Sequence, residues 1–197
     1  MIGQAARYRL PTAIVVDDFY ADPNEVREFA LSQEFVAHPE YHRGKRTEEA
    51  FMFDGLKERF EDLLGHPILN WGKYRVNGCF QSCVSTDPIV YHADTQTYAG
   101  VIFLTPNAPP AGGTKIVRSI HTKERKTYGN DADVVYRHGH YDSTEFETLD
   151  QFGNVYNRLI LWDAQCIHAA SSYFGDNIEN GRLFHIFFFD VDLSKGR

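Results

Sequence analysis

The sequence predicts a mainly β protein of the α+β class, built as a jelly-roll-like pair of sheets braced by N-terminal helices. Aromatic residues are abundant, with 15 Phe, 11 Tyr and 2 Trp in 197 residues, and aromatic side chains favour strands. From Trp71 onwards, short apolar runs are separated by Gly, Pro and Asn, which is typical of a jelly roll. A hydrophobic content of 43% suits one sizeable core, so we expect residues 1–197 to form a single domain.

The N-terminal part predicts one strand followed by two helices. Residues 10–19 are apolar enough for an opening strand. The segment 22–25 (Asp-Pro-Asn-Glu) is typical of a helix start, because Asp can cap the first turn and Pro suits the first helical position. A second amphipathic segment covers 56–64 and is followed by Gly65, a residue that commonly ends helices. We expect both helices to pack on the outer side of the β core.

Three later segments predict strands, and a long polar interval separates two of them. The run 88–91 is rich in strand-forming residues and begins with Pro. Residues 158–168 indicate a buried strand, a short turn and a second strand, and 182–190 a long aromatic strand. The interval from about 119 to 157 is polar, and long connections in compact domains are commonly functional or disordered. We expect it to form a lid insertion that helps to select the substrate.

Four polar residues in these segments indicate a metal site beside a carboxylate-binding cation. His92 and Asp94 are separated by one residue, so on an extended strand both side chains leave the same face. His168 follows on a later strand, and Arg182 begins the last long one. Two neutral imidazoles and one carboxylate can occupy one face of Fe(II) and leave positions open for ligands and dioxygen. Arg182 can grip a carboxylate at both oxygens, whereas His185 should face away from it.

The order of these motifs resembles the Fe(II)/2-oxoglutarate-dependent dioxygenases, in particular their prolyl-hydroxylase-like branch. The resemblance covers roughly residues 10 to 190 and includes the run 98–104 and the later Gly112-Gly113-Thr114. It implies a double-stranded β-helix and a hydroxylase that uses Fe(II), 2-oxoglutarate as co-substrate and dioxygen, with release of succinate and carbon dioxide. Carried over residue by residue, the metal ligands are His92, Asp94 and His168, and the cation for the far carboxylate of 2-oxoglutarate is Arg182.

The resemblance leaves the substrate open and shows one departure. Some relatives place a Ser two residues after the Arg, where this chain has Phe184. Other co-substrate contacts could come from Tyr74, Gln81 or Thr105. A peptide, an amino acid or another small metabolite could be the substrate, since fold and cofactor do not specify it. Two alternatives are a cupin-like metalloenzyme without 2-oxoglutarate and a non-catalytic β-sandwich binding module.

Three other residues could be offered as metal ligands, and ordinary roles are expected for them. His138 and His140 form an H-x-H around Gly139, but no third ligand with a strand context accompanies them. They are expected to be polar residues of a mobile loop. Asp163 precedes His168 closely, yet Asp is favoured in turns. It is expected in the turn between two strands.

Charge and cysteine content exclude several classes of function. A net charge of −7 and an isoelectric point near 5.7 argue against nucleic-acid binding, which needs clustered Lys and Arg. Three Cys without C-x-x-C spacing give no disulfide framework and suit a reducing compartment. The sequence contains no apolar run of membrane length and no secretory signal pattern. We therefore expect a cytoplasmic enzyme with no membrane partner, while the oligomeric state stays open.

Overall fold

Two antiparallel sheets form the core of the protein. The computed structural model describes residues 10–38, 43–127 and 132–195. Within them, the major sheet has six strands in the order β1-β7-β4-β9-β3-β2, and the minor sheet has three in the order β6-β5-β8. The strands are β1 (Ala13–Val16), β2 (Lys45–Arg46), β3 (Cys79–Cys83), β4 (Tyr98–Phe103), β5 (Thr114–Ser119), β6 (Phe146–Phe152), β7 (Leu159–Asp163), β8 (His168–Ala170) and β9 (Arg182–Phe189). The predicted mainly β, jelly-roll class is confirmed.

The N-terminal helices lie on the outer face of the major sheet, as the sequence predicted. They are α1 (Pro23–Leu31) and α2 (Leu56–Leu64), and a single turn, α3 (Ala132–Val135), occurs later. The carboxylate of Asp22 caps α1 by accepting from the backbone N–H of Asn24 and of Glu25 at 3.1 and 3.0 Å. Gly65 ends α2 with φ of 70°, a conformation that glycine adopts without strain.

Side chains of the major sheet are buried on both faces, which explains its nearly continuous apolar sequence. On the outer face, Phe60 of α2 packs edge-on against Phe187 with ring centroids 4.9 Å apart. On the inner face, Val101 and Phe184 belong to a cluster with Ile116 of the minor sheet. The inner faces of the two sheets therefore enclose the part of the core that adjoins the candidate site.

Two segments differ from the sequence predictions. The run 88–91 is not a strand: the backbone N–H of Tyr91 instead donates to the carbonyl of His140, at 2.7 Å. The polar interval 119–157 contains β6, which pairs with β5 at the edge of the minor sheet and exposes residues 148–151. An exposed edge strand has few apolar residues to reveal it. Residues 128–131 of this interval lie outside the described part of the chain, and the lid remains a prediction. In the described residues, no helix has the length and apolar character needed to cross a bilayer.

Candidate active site

The structure brings the side chains of His92, Asp94 and His168 together. His92 and His168 form an isolated antiparallel bridge, in which each backbone N–H donates to the other residue's carbonyl, at 3.1 and 2.8 Å. The backbone N–H of Asp94 donates to the carbonyl of Ala164 at 2.8 Å. Asp94 Oδ1 lies 3.9 Å from His92 Nε2, and Asp94 Oδ2 lies 3.4 Å from His168 Nε2. One ligand atom from each residue lies within 4.8 Å of the other two.

Backbone carbonyls orient both imidazoles. His92 Nδ1 lies 3.2 Å from the carbonyl oxygen of Val90, and His168 Nδ1 lies 2.8 Å from that of Cys166. Because a carbonyl can only accept, each Nδ1 carries a proton, and each Nε2 is the ring nitrogen left for a metal. This is the arrangement that metal-binding histidines commonly have, with the second ring nitrogen held by the surrounding protein.

The electrostatics of the three groups suit a bound cation. Burial and the neighbouring His168 lower the pKa of His92 to about 4, so its imidazole is neutral at neutral pH. Burial opposes ionisation of Asp94, but the imidazoles of His168 and His92 and the Arg46 guanidinium outweigh it and hold the pKa of Asp94 below its usual range. Asp94 Oδ2 is buried and accepts no hydrogen bond from the residues that the structure describes. Two imidazoles and an ionised carboxylate with a free oxygen fit Fe(II).

Arg182 is a buried cation with no acidic partner in the described residues. Its Nε donates to the Gly112 carbonyl at 2.9 Å, and its Nη2 donates to Thr114 Oγ1 at 3.0 Å. The rings of Phe184 and Phe103 lie 4.4 and 5.0 Å from the guanidinium carbon. No described carboxylate forms an ion pair with it. Burial lowers the pKa of Arg182, and a buried charge that lacks a partner favours an anionic ligand.

One cavity connects the predicted metal ligands with Arg182. Its volume is about 570 Å³, and its lining includes His92, Asp94, His168 and Arg182. This size is typical of a site for a small ligand. His185 faces the opposite side of β9, where its Nδ1 accepts from the Tyr20 hydroxyl at 2.7 Å, as the alternation of the strand predicted.

Of the three further contacts considered from sequence, one lies at the cavity. Gln81 lines it, whereas Tyr74 donates to Asp190 and Thr105 to the carbonyl of Gly181. Sequence reasoning missed Arg46, which also lines the cavity. Arg46 reaches the cavity because it pairs with Gln81 between β2 and β3. The sequence gives no sign of this pairing, because a strand of two residues is too short to show a periodic pattern.

The two histidines of the H-x-H have separate surroundings. His140 lines the cavity, and its Nδ1 lies 2.9 Å from the carbonyl of Tyr91. His138 Nε2 lies 3.9 Å from Glu145 Oε2, which also lies 2.6 Å from His121 Nε2. His121 and Glu145, neither of which lies on a strand, are therefore beside His138 but not beside His140, and the H-x-H pair does not form one site with them.

Asp163 has the role expected from its sequence context. It forms an ion pair with Lys126, and its carboxylate accepts from the backbone N–H of Gln165 at 3.1 Å in the turn after β7. It does not line the cavity that holds the other three candidate ligands.

Comparison with known proteins gives the fold but no close relative. No protein-family model matches the sequence, and no curated protein matches it. Among solved structures, HygX from Streptomyces hygroscopicus with nickel, 2-oxoglutarate and hygromycin B bound is similar at a TM-score of 0.62 and 11% identity, covering 91% of this chain and 82% of that one. A prolyl hydroxylase from Trichoplax adhaerens, in complex with a hypoxia inducible factor peptide fragment, is similar at a TM-score of 0.50 and 15% identity. The match covers 91% of this chain and 84% of that one. The chain therefore has the fold of these proteins, which confirms the fold that the resemblance to the Fe(II)/2-oxoglutarate-dependent oxygenases implied.

Proposed function

We propose that the protein is a non-haem Fe(II)- and 2-oxoglutarate-dependent oxygenase that hydroxylates a C–H bond of a peptide, an amino acid or a small metabolite. One observation carries this proposal. Among the described residues, a single cavity is lined by two imidazoles, a carboxylate with an unpartnered oxygen and a buried arginine without an acidic partner. The first three fit a divalent metal, and the arginine fits the far carboxylate of a dicarboxylate.

The proteins of similar fold support the same co-substrate. HygX has been crystallised with nickel and 2-oxoglutarate bound, both with and without hygromycin B. The prolyl hydroxylase has been crystallised with a peptide fragment. A small molecule and a peptide can thus both bind to proteins of this fold, and neither is specified here.

In the proposed reaction, the residues of this chain bind and orient the reactants. His92, Asp94 and His168 hold Fe(II), and the carbonyls on the two Nδ1 atoms fix the direction of each Nε2. Arg182 binds the far carboxylate of 2-oxoglutarate, and its guanidinium replaces the water that would solvate this carboxylate outside the buried site. When bound, Fe(II) supplies the redox chemistry by which dioxygen oxidises 2-oxoglutarate to succinate and carbon dioxide and a substrate C–H bond to an alcohol.

Aromatic side chains limit the access of water to this part of the cavity. Phe184 and Phe103 cover the guanidinium of Arg182, and Phe184 replaces the polar Ser found in some relatives. Removal of water strengthens the attraction between Arg182 and a bound carboxylate and protects reactive species from side reactions.

The test is anaerobic reconstitution with Fe(II) and 2-oxoglutarate. The measurement is the weak visible charge-transfer band of the iron–2-oxoglutarate chelate. Wild type should show the band and, with air, release succinate slowly even without substrate. Asp94→Asn should lose both, because the metal loses its anionic ligand. Asp163→Asn is the matched control and should keep both, since Asp163 lies outside the cavity. Bound iron without the band would contradict the proposal and favour a cupin-like metalloenzyme.

A further inference from the structure

Arg46 is a second arginine on the inner face of the major sheet. It pairs with Gln81 of β3, and Gln81 in turn pairs with Phe184 of β9. Arg182 lies two residues before Phe184, opposite Cys83. Paired residues share a face, and so do residues two apart on one strand. Arg46 and Arg182 are separated by two strand spacings across the sheet and by two residues along a strand. Their Cα atoms therefore lie about 12 Å apart.

The guanidinium of Arg46 is held in place by a neutral group. Its Nε and Nη2 donate to Gln81 Oε1 at 2.8 and 2.6 Å. The Gln81 amide is itself oriented, because its Nε2 donates to the Arg43 carbonyl at 2.9 Å. Two of the three nitrogens of Arg46 therefore donate to an acceptor that carries no charge, and Nη1 has no hydrogen-bond partner among the described residues.

No acidic group of the described residues neutralises Arg46. It forms no ion pair within that part of the chain, and burial lowers its pKa. The carboxylate of Asp94 raises the pKa of Arg46, though less than burial lowers it, and a bound metal would use the charge of that carboxylate. Arg46 is half-buried, so its need for an anion is weaker than that of the fully buried Arg182, but it also has no ion-pair partner among the described residues.

The wall beside Arg46 carries more cationic and hydrogen-bonding groups. Arg43 and Tyr141 line the same cavity. Arg43 donates to the Tyr141 hydroxyl and lies over its ring, 5.5 Å from the centroid. Tyr141 belongs to the connection between β5 and β6, so the proposed lid supplies part of this wall.

We propose that the part of the cavity beside Arg46 binds an oxyanion group, a carboxylate or a phosphate, of the molecule that is oxidised. This inference rests on the proposed function, in which the two carboxylates of 2-oxoglutarate are accounted for by the metal and by Arg182. The substrate class is then an acidic small molecule or a peptide with an acidic residue close to the oxidised carbon. A substrate with only positive charge would bind poorly beside Arg43 and Arg46.

The test follows the arginine Nε–H resonances by NMR in protein loaded with Zn(II), a diamagnetic substitute for iron. Arg46 and Arg182 resonances are identified by their absence in Arg46→Lys and Arg182→Lys. Saturation with 2-oxoglutarate should shift the Arg182 resonance. Acetate or inorganic phosphate, added next, should shift the Arg46 resonance saturably, and acetamide should not. Whichever oxyanion binds more tightly indicates whether a carboxylate or a phosphate is preferred.

The two resonances separate failure of the inference from failure of the proposed function. No saturable shift of Arg46 with either anion up to about 0.1 M, a weak-binding limit, would overturn the inference. So would a shift of Arg46 with 2-oxoglutarate that blocks the response to acetate, because Arg46 would then hold the co-substrate. An unchanged Arg182 resonance would instead count against the proposed function. Arg118, which is paired with Glu147 on the surface, is the control for a general salt effect.

An activity assay tests the substrate class directly. Amino acids and short acidic peptides are compared with their amidated forms for stimulation of succinate release. Amidation of the recognised carboxylate should lower kcat/KM at least tenfold, and Arg46→Gln should lower it by a similar factor for the acid. A neutral compound that is oxidised as efficiently as its acidic analogue would overturn the inference.

Discussion

Replacement of Arg182 by Gln should weaken 2-oxoglutarate binding far more than metal binding. Arg182 is buried, and its guanidinium is fixed by the Gly112 carbonyl and Thr114 Oγ1. A unit charge pair about 4 Å apart attracts by about 4 kcal/mol at an effective dielectric constant near 20. Loss of one partner of a buried charge pair costs about 2–5 kcal/mol. The dissociation constant of 2-oxoglutarate should therefore rise about 30- to 5,000-fold.

The geometry of the arginine matters as well as its charge. Arg182→Lys keeps a cation but loses the planar fork and at least one of the two fixed hydrogen bonds. We expect its dissociation constant to lie between those of wild type and Arg182→Gln. Metal affinity should stay close to the wild-type value in both variants, because none of the three proposed metal ligands contacts Arg182 by a hydrogen bond or ion pair.

Calorimetric titration of 2-oxoglutarate into the nickel-loaded protein measures this effect without turnover. Arg118→Gln is the matched control, since Arg118 is half-buried, lies outside the cavity and is paired with Glu147. It should bind 2-oxoglutarate as wild type does. If the dissociation constant of 2-oxoglutarate changes by less than about threefold in Arg182→Gln, a loss of less than about 0.7 kcal/mol of binding free energy, the assignment of Arg182 as the carboxylate-binding cation is refuted.

Three further substitutions test the scaffold around the site. Burial lowers the pKa of His185 from 6.5 to about 3, so below pH 6.5 the unfolded chain binds a proton that the folded protein does not. The free energy of unfolding should therefore fall by about 2.5 kcal/mol from about pH 7 to about pH 4.5. Urea unfolding should show this loss in wild type and a flatter pH profile in His185→Gln; equal slopes would contradict it. A Cβ at Gly113 would lie 1.8 Å from the Phe152 carbonyl oxygen, so Gly113→Ala should cost about 1–3 kcal/mol, whereas Gly72→Ala, with open space around it, should cost under about 1 kcal/mol. Asp22→Ala should lower the free energy of unfolding by about 1 kcal/mol, and an unchanged denaturation midpoint would show that the cap is dispensable.

The sequence was sufficient where a local signal identified an element. The Asp22 cap and Gly65 stop fixed the ends of the two N-terminal helices, because capping depends on residues a few positions apart. The aromatic run of β9 likewise identified a buried strand with Arg182 at its start. His92 and Asp94 share a side because their spacing is that of an extended chain, even though the run before them is not a strand.

Sequence reasoning failed where tertiary contacts decide the outcome. Strand β2 has two residues and is defined by its pairing with β3, so nothing in the chain placed Arg46 at the cavity. Strand β6 lies at a sheet edge and exposes most of its side chains, so its composition resembles that of a loop. His138 acquires two neighbours only because the connection between β5 and β6 folds back on its own start.

The chemistry of the cavity depends on the register of β9, and contacts on the other side of the sheet support that register together with the pairing to β3 and β4. Along this strand, Arg182 and Phe184 face the cavity, while His185 and Phe187 face the helices. The Tyr20 hydroxyl donates to His185 Nδ1 at 2.7 Å, and His185 Nε2 donates to the Gly78 carbonyl at 2.8 Å. A slip of one residue would place the guanidinium in the apolar layer under the helices and a neutral imidazole in the cavity. Contacts that never reach the proposed site therefore help to determine whether it contains a cation.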